Sequence, residues 1–180
     1  ITGGVGSGNA LLSSAEIYDP ATGQFSVLAD SLHTPRSYQT ATLLLDGRVL
    51  LVGGHNGFNS SATREVFDPS SNTFSLVSNC VDAHNTSVTC PNRYMHVAVL
   101  LDSGKVLIAG GYGTSSDLTD SLEIFDPNLN QFQILTLSLS KKLGYQQTMK
   151  LVDGTVLLFG GVESKAGSFS ATNTVLHYDP

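Results

Sequence analysis

The sequence predicts an all-β protein made of a repeated four-stranded unit, and three observations support this. Paired glycines recur along the chain, at Gly3-Gly4, Gly53-Gly54, Gly110-Gly111 and Gly160-Gly161. An aromatic-Asp-Pro triplet recurs in step with them, at Tyr18-Asp19-Pro20, Phe67-Asp68-Pro69, Phe125-Asp126-Pro127 and Tyr178-Asp179-Pro180. Only 13% of the residues are charged, against an average near a quarter, which suits short strands joined by turns.

Each repeat is predicted to contain four antiparallel strands. In the second repeat they lie at residues 39–45, at residues 48–52, at residues 64–67 and from residue 73 onward. Asp46-Gly47 joins the first two, because both positions of a two-residue hairpin turn favour positive φ. The diglycine ends the second strand, where a residue without Cβ permits a tight exit or a close backbone approach. Asn72 takes the left-handed position of the turn before the fourth strand.

A four-stranded meander cannot cover both of its own faces, so the copies are expected to pack face to face around an axis. This arrangement is a β-propeller. Its blades are predicted at about 1–30, 36–78, 93–137 and 143–180. The chain opens in the middle of a repeat mark, at Ile1-Thr2-Gly3-Gly4. We therefore expect about three and a half blades of a longer protein.

The order of these marks resembles the kelch repeat, especially that of galactose-oxidase-like and other extracellular kelch propellers. The resemblance covers essentially the whole chain and implies a kelch-type β-propeller. Phe25, Phe74 and Phe132 stand where kelch repeats usually carry Trp, and the chain has no Trp. A Phe can fill the same slot between blades, but its presence argues against close kinship with intracellular adaptor kelch proteins. The Arg and His usual at the first strand occur together only as Arg93 and His96.

Strand alternation predicts that the 2–3 and 4–1 connections emerge on one face of the propeller. These connections vary in length and composition and cover residues 55–63, 77–92, 112–121 and 162–174. Regular turns on one face and irregular loops on the other are typical of a scaffold that presents a recognition surface. The expected partner is a protein or a carbohydrate. The alternative is that these loops vary because nothing constrains them.

Cys80 and Cys90 are the only cysteines, and both lie in the enlarged loop 78–92. Two cysteines alone lack the ligand count of a zinc site. A disulfide between them is therefore predicted, and two unpaired thiols are the alternative. A persistent disulfide implies an oxidising compartment.

Asn59 and Asn85 begin glycosylation sequons, and both fall in long variable loops. Their number is close to what the composition gives by chance, so only their positions are informative. Together with the disulfide, they predict a secreted or cell-surface glycoprotein.

No catalytic, cofactor-binding or metal-binding residues are predicted. The five histidines show no close pairing of metal-ligand type. A copper site like that of galactose oxidase would need converging tyrosines and histidines and a cysteine bonded to one tyrosine. Gln39, His96 and Gln146 occupy equivalent positions at the innermost strand. They either bind a small polar ligand at the mouth of the central channel or satisfy backbone groups of a neighbouring blade.

The charge distribution argues against a nucleic-acid partner. The net charge is −6, and no basic cluster exceeds Lys141-Lys142, whereas duplex binding needs several clustered cations. The longest apolar runs, such as residues 97–101, are too short to span a bilayer.

The leading functional prediction is a non-catalytic extracellular propeller that binds protein or carbohydrate or builds an assembly. Because a fold does not determine a function, two alternatives remain. One is a fragment of a carbohydrate-oxidase-like enzyme whose active site lies outside this chain. The other is a structural subunit that self-assembles into a fibre through its open sheet edges.

Overall fold

A computed structural model describes residues 1–57, 63–114, 117–165 and 168–180. Apart from one 3-10 turn at Ser7–Asn9, the regular elements of these residues are β-strands. The predicted all-β class is confirmed. The sequon at Asn59 lies outside the described residues.

Two sheets contain the complete four-stranded meander. Blade 2 is formed by Thr40–Leu43, Val49–Val52, Arg64–Asp68 and Thr73–Leu76. Blade 3 is formed by Val97–Leu100, Val106–Ala109, Ser121–Asp126 and Gln131–Ser138. A short strand, Cys80–Val81, adds to the outer edge of blade 3 and runs parallel to its fourth strand.

The outer sheets contain fewer strands. Blade 1 has Glu16–Asp19 and Gln24–Val27, which are its third and fourth strands in the repeat pattern. Blade 4 has its first three strands, Gln147–Lys150, Val156–Phe159 and Val175–Tyr178. The described sheets are successive blades of a propeller and do not close into a ring.

One connection departs from the prediction. Residues 162–174 of blade 4 were expected to form an irregular loop, but they contain a β-hairpin of Val162–Lys165 and Ser168–Ala171. This hairpin pairs with the short strand Leu143–Gly144 to form a separate three-stranded sheet. The blade 4 connection is therefore an ordered projection.

The hydrophobic core lies between the blades. Leu50 and Val52 of blade 2 pack with Val106 and Ile108 of blade 3 in one buried cluster. A second cluster joins blades 3 and 4, and a third joins blades 1 and 2. Face-to-face packing of blades, as predicted, is thus the main source of apolar burial.

The phenylalanines at the Trp position fill the slots between blades. Phe74 is 5% exposed and Phe132 is fully buried, whereas the equivalent Phe25 is 55% exposed. The difference follows from position, because blade 1 is the first sheet and its outer face has no neighbour in the described chain.

The diglycines allow neighbouring blades to approach closely. Gly53 has a φ of 62°, and a Cβ on it would lie 2.1 Å from the carbonyl oxygen of Arg93 in the next blade. The amide of Gly54 donates to that same oxygen at 2.8 Å. The equivalent bonds run from Gly4 to Arg36 and from Gly111 to Leu143. Repeated bonds near the inner strands therefore join all four blades.

Candidate functional site

The 2–3 and 4–1 connections meet at one end of the blades, which we call the loop face. Three antiparallel pairings show this, because each joins a residue of a 4–1 connection to the residue after a diglycine. The pairs are Ser37 with His55, Tyr94 with Tyr112, and Gly144 with Val162. Both variable connections therefore emerge together, as strand alternation predicted.

Five rings lie in contact across the loop face. This aromatic stripe consists of His55, Tyr94, Tyr112, Tyr145 and Phe169. The ring centroids of His55 and Tyr94 are 5.1 Å apart, and Tyr94 stacks on Tyr112 at 5.1 Å. Tyr112 then makes edge contacts with Phe169 at 5.5 Å and with Tyr145 at 6.0 Å. The stripe thus extends over blades 2, 3 and 4.

Tyr112 is the centre of the stripe, and the backbone of blade 4 accommodates it. A Cβ on Gly144 would lie 3.2 Å from Cε2 of Tyr112 and 2.6 Å from Cδ2 of Leu118. Glycine at this position therefore lets the Tyr112 ring cross the boundary between blades 3 and 4. Burial raises the pKa of Tyr112, and the neighbouring Tyr145 and Tyr94 raise it further. Its phenol is consequently neutral and able to donate a hydrogen bond.

The backbone beneath the stripe is held in an uncommon conformation. Tyr38, Met95 and Tyr145 occupy equivalent positions and have φ angles of 61°, 53° and 55°. Such values cost a non-glycine residue about 1–2 kcal/mol. The amide of Met95 donates to the carbonyl of Tyr38 at 3.2 Å, and that of Tyr145 donates to Met95 at 3.0 Å. These bonds between blades hold the left-handed residues in place.

Gln39, His96 and Gln146 each contact the preceding blade. Nε2 of Gln39 donates to the carbonyl of Thr2 at 2.8 Å, and Nε2 of Gln146 donates to Ala109 at 3.0 Å. Nε2 of His96 lies 2.8 Å from Oγ1 of Thr40. The geometry of Gln39 and Gln146 thus matches the structural alternative, in which each side chain satisfies a backbone group of a neighbouring blade, whereas His96 contacts a side-chain hydroxyl. Ligand binding by them stays a prediction.

Buried ion pairs lie beneath the loop face. Their acidic residues, Glu65 and Glu123, were not predicted from the sequence. Glu65 of blade 2 pairs with Arg36, and its other oxygen lies 2.8 Å from Nδ1 of His33. Glu123 of blade 3 pairs with Arg93 in the same way. The signal was present in the sequence, since both pairs recur at the same repeat positions. Blade 4 has Leu143 and Leu176 at those positions.

Arg64 adds a link between blades to this network. It donates to Glu123 across 2.7 Å, and both side chains are fully buried. Burial lowers the pKa of Arg64, although the Glu123 carboxylate opposes this shift. The pKa of Arg36 is lowered by burial in the same way, with Glu65 opposing. The network stabilises the blades but is closed to solvent, so it is not a ligand site.

Cys80 and Cys90 form a disulfide bond, with their Cα atoms 5.3 Å apart. The bond closes the loop that carries the Cys80–Val81 strand to the outer edge of blade 3. Asn85 lies in the exposed turn of this loop, where its amide donates to the carbonyl of Asp82 at 3.1 Å. Glycosylation of Asn59 and Asn85 stays a prediction.

Two features are absent from the part of the chain that the structure describes. It contains no group of three His, Cys, Asp or Glu side chains arranged to hold a metal ion. It also contains no helix with the length and apolar character needed to cross a membrane.

Comparison with known proteins supports the repeat assignment. The segment from Arg36 to Cys80 matches the family model of the kelch motif. These residues therefore contain a kelch motif. The chain is also similar to Kelch-like protein 35 of Mus musculus, with 25% identity over 152 residues. The match covers 83% of this chain and 22% of the relative, so the chain spans about a fifth of that protein's length.

The comparison corrects the predicted localisation. The secreted or cell-surface placement was wrong, because Kelch-like proteins belong to a family that typically acts inside cells. The prediction of secretion rests on one disulfide and on sequons that are no more frequent than chance. Neither feature is specific enough to outweigh the relative.

Proposed function

We propose that the kelch chain is a non-catalytic scaffold that binds a protein partner on its loop face, with the aromatic stripe as the main contact. Kelch repeats generally mediate protein binding, which supports the general role. The aromatic stripe is the observation that places the proposed binding site on the loop face. Its Tyr145 and Phe169 side chains are each about half exposed on a face built from variable connections.

The residue types of the stripe suit a protein interface. Aromatic rings offer a large contact area for few rotatable bonds, and tyrosine is common among the residues that dominate interface energies. The backbone of Tyr145 is fixed by its hydrogen bond to Met95. Little conformational freedom is therefore lost at that residue when a partner binds, which favours affinity.

The packing of the rings favours a protein over a carbohydrate. A sugar needs a free flat ring face on which to stack. Tyr94 and Tyr112 stack on each other, and His55 of blade 2 makes an edge-type contact with Tyr94. The faces of Tyr94 and Tyr112 are thus partly occupied by each other, and the most exposed side chains of the stripe are Tyr145 and Phe169, which suit the irregular apolar surface of a protein.

Affinity capture with variant proteins tests this proposal. The double variant Tyr145→Ala and Phe169→Ala removes the exposed end of the stripe without touching Tyr112. The matched control is Leu129→Ala, because Leu129 is 66% exposed in a 3–4 turn on the opposite face. Proteins captured by the wild-type chain should fall about tenfold with the double variant and stay unchanged with the control. Equal recovery with both variants would contradict the proposal.

A further inference from the structure

A chemically labile pair of residues lies in the blade 2 connection, next to the aromatic stripe. Asn56 is followed by Gly57, and none of the other nine asparagines of the chain precedes a glycine. Both residues are exposed to solvent. They come directly after His55, one of the rings of the stripe. The pair therefore lies on the loop face, where water reaches it.

An Asn-Gly pair is labile because the backbone nitrogen of the glycine can attack the side-chain carbonyl carbon of the asparagine. The attack closes a five-membered ring that contains Cγ of Asn56 and the nitrogen of Gly57. A side chain on the second residue hinders this closure, whereas glycine has no Cβ and reaches the necessary backbone conformations freely. Gly57 has a φ of 92°, in the region that other residues rarely adopt. The remaining requirement is a base that removes the proton from the attacking nitrogen.

His55 presents a base to that proton. The backbone amide of Gly57 donates to Nδ1 of His55 at 3.1 Å. Nδ1 therefore carries the lone pair, and the ring hydrogen of the neutral imidazole lies on Nε2. A general base must be within hydrogen-bond reach of the proton that it abstracts, about 2.6–3.2 Å between heavy atoms. The Nδ1 atom of His55 meets this requirement in the folded chain.

The folded blades hold His55 in this position. Its amide donates to the carbonyl of Ser37 at 2.7 Å, and its carbonyl accepts from the amide of Ser37 at 3.1 Å. Its ring contacts Tyr94 of the next blade, with the ring centroids 5.1 Å apart. The residues directly after the other three diglycines have no ring nitrogen; they are Val5, Tyr112 and Val162. Among the four repeats, blade 2 alone thus combines an Asn-Gly pair with a base.

We infer that Asn56 is a self-modification site, at which His55 acts as the general base for deamidation of the asparagine side chain. Nδ1 of His55 takes the amide proton of Gly57, and the backbone nitrogen of Gly57 forms a bond to Cγ of Asn56. The bond between Cγ and the side-chain nitrogen breaks, and that nitrogen leaves as ammonia with the proton returned by the imidazolium. Water then opens the ring at either carbonyl and leaves an aspartate or an isoaspartate.

The modification changes the charge of the loop face. One neutral amide becomes a carboxylate beside His55, so the chain gains one negative charge. In the isoaspartate product the backbone continues through the former side chain, which adds one methylene to the connection. Water is the only co-reactant, so the reaction needs neither an enzyme nor a partner.

Peptide mapping by mass spectrometry follows the reaction in the purified chain. During incubation at pH 7.5, the peptide that contains Asn56 should acquire the mass of the acid, and an isoaspartate form should separate by chromatography. The reference is Asn130, which is also exposed but is followed by Gln131. Asn56 should convert at least about tenfold faster than Asn130, since only Asn56 precedes a glycine. The measurement does not depend on partner binding, so its outcome leaves the proposed function unaffected.

A chain variant separates the base from the Asn-Gly pair. His55→Phe keeps an aromatic ring beside Tyr94 but removes Nδ1, so Asn56 should convert at least about tenfold more slowly in the folded variant. In concentrated urea the two proteins should convert at the same rate, because unfolding removes the fixed position of His55. Equal rates in the folded proteins, a difference that persists in urea, or conversion of Asn56 no faster than that of Asn130 would each overturn the inference.

Discussion

Arg64 of blade 2 donates to the Glu123 carboxylate of blade 3 across 2.7 Å, with both side chains fully buried. Arg93 binds the same carboxylate from within blade 3. The Arg64 guanidinium also lies 4.7 Å above the centre of the Phe132 ring. One carboxylate therefore compensates two buried cations at the boundary between two blades, where solvent is excluded.

Replacing this carboxylate should be among the most destabilising single changes in the chain. Glu123→Gln leaves two guanidinium groups buried without a counter-charge, so we expect a loss of about 3–5 kcal/mol in the free energy of unfolding. Urea denaturation measures it. The matched control is Glu16→Gln at the equivalent position of blade 1, which should change stability by less than about 0.5 kcal/mol. Similar losses of stability in the two variants would contradict the idea that Glu123 stabilises the protein by compensating two buried arginines.

His96 should make stability depend on pH. Burial lowers its pKa well below the ordinary 6.5, and the neighbouring Arg93 and Arg64 lower it further. The folded protein therefore keeps this ring neutral, while the unfolded chain gains a proton as the pH falls below about 6.5. The free energy of unfolding should then decrease below that pH, by up to about 1.4 kcal/mol per pH unit.

The control for His96 is present in the repeats themselves. Gln39 and Gln146 stand at the equivalent positions, so His96→Gln should fold and lose this pH dependence. Urea denaturation at pH 7.5 and pH 5.5 compares the two proteins. The same decrease in both would assign the effect to other groups.

The disulfide should stabilise the outer edge of blade 3. On the entropic account, closing a loop of this length contributes roughly 2.5–3 kcal/mol, so reduction should lower stability by about that amount. The amide of Phe132 should sense this loss of stability locally, because it donates to the carbonyl of Asn79 at 2.8 Å, next to Cys80 of the disulfide. Hydrogen exchange at Phe132 should therefore accelerate on reduction. The double variant Cys80→Ser and Cys90→Ser should show no response to reductant.

Non-reducing peptide mapping checks the bond directly. One linked peptide containing Cys80 and Cys90 is expected from the native protein. Two thiols that alkylate freely before denaturation would contradict it.

Tyr145 should reveal the cost of its left-handed backbone. With a φ of 55°, alanine at this position carries the same backbone penalty as tyrosine, whereas glycine does not. Tyr145→Gly should thus unfold with a free energy about 1 kcal/mol higher than Tyr145→Ala. Thermal denaturation of the two variants measures the difference. Equal stability of the alanine and glycine variants would mean that the backbone relaxes at this residue.

Local marks were sufficient to predict the strands of blades 2 and 3 from the sequence. Gly47 and Asn72 have positive φ, as predicted for their turns. Asp46 does not, so the prediction of a two-residue hairpin turn was wrong: the turn is longer, and the amide of Gly47 donates to the carbonyl of Leu44. The disulfide pairing followed from elimination, because the chain has only two cysteines. The hairpin at residues 162–174 did not follow, since its strands carry few apolar residues and depend on pairing with Leu143–Gly144.

By itself, the sequence determined the repeat, the strand order within each blade and therefore the face on which the variable connections emerge. Only the tertiary structure decided which side chains meet there. Tyr112 reaches Phe169, and Arg64 reaches Glu123, because stacked blades bring together residues separated by a whole repeat. Such contacts depend on the rotation and spacing between blades, which arise from packing of their apolar faces and are not encoded in any local pattern.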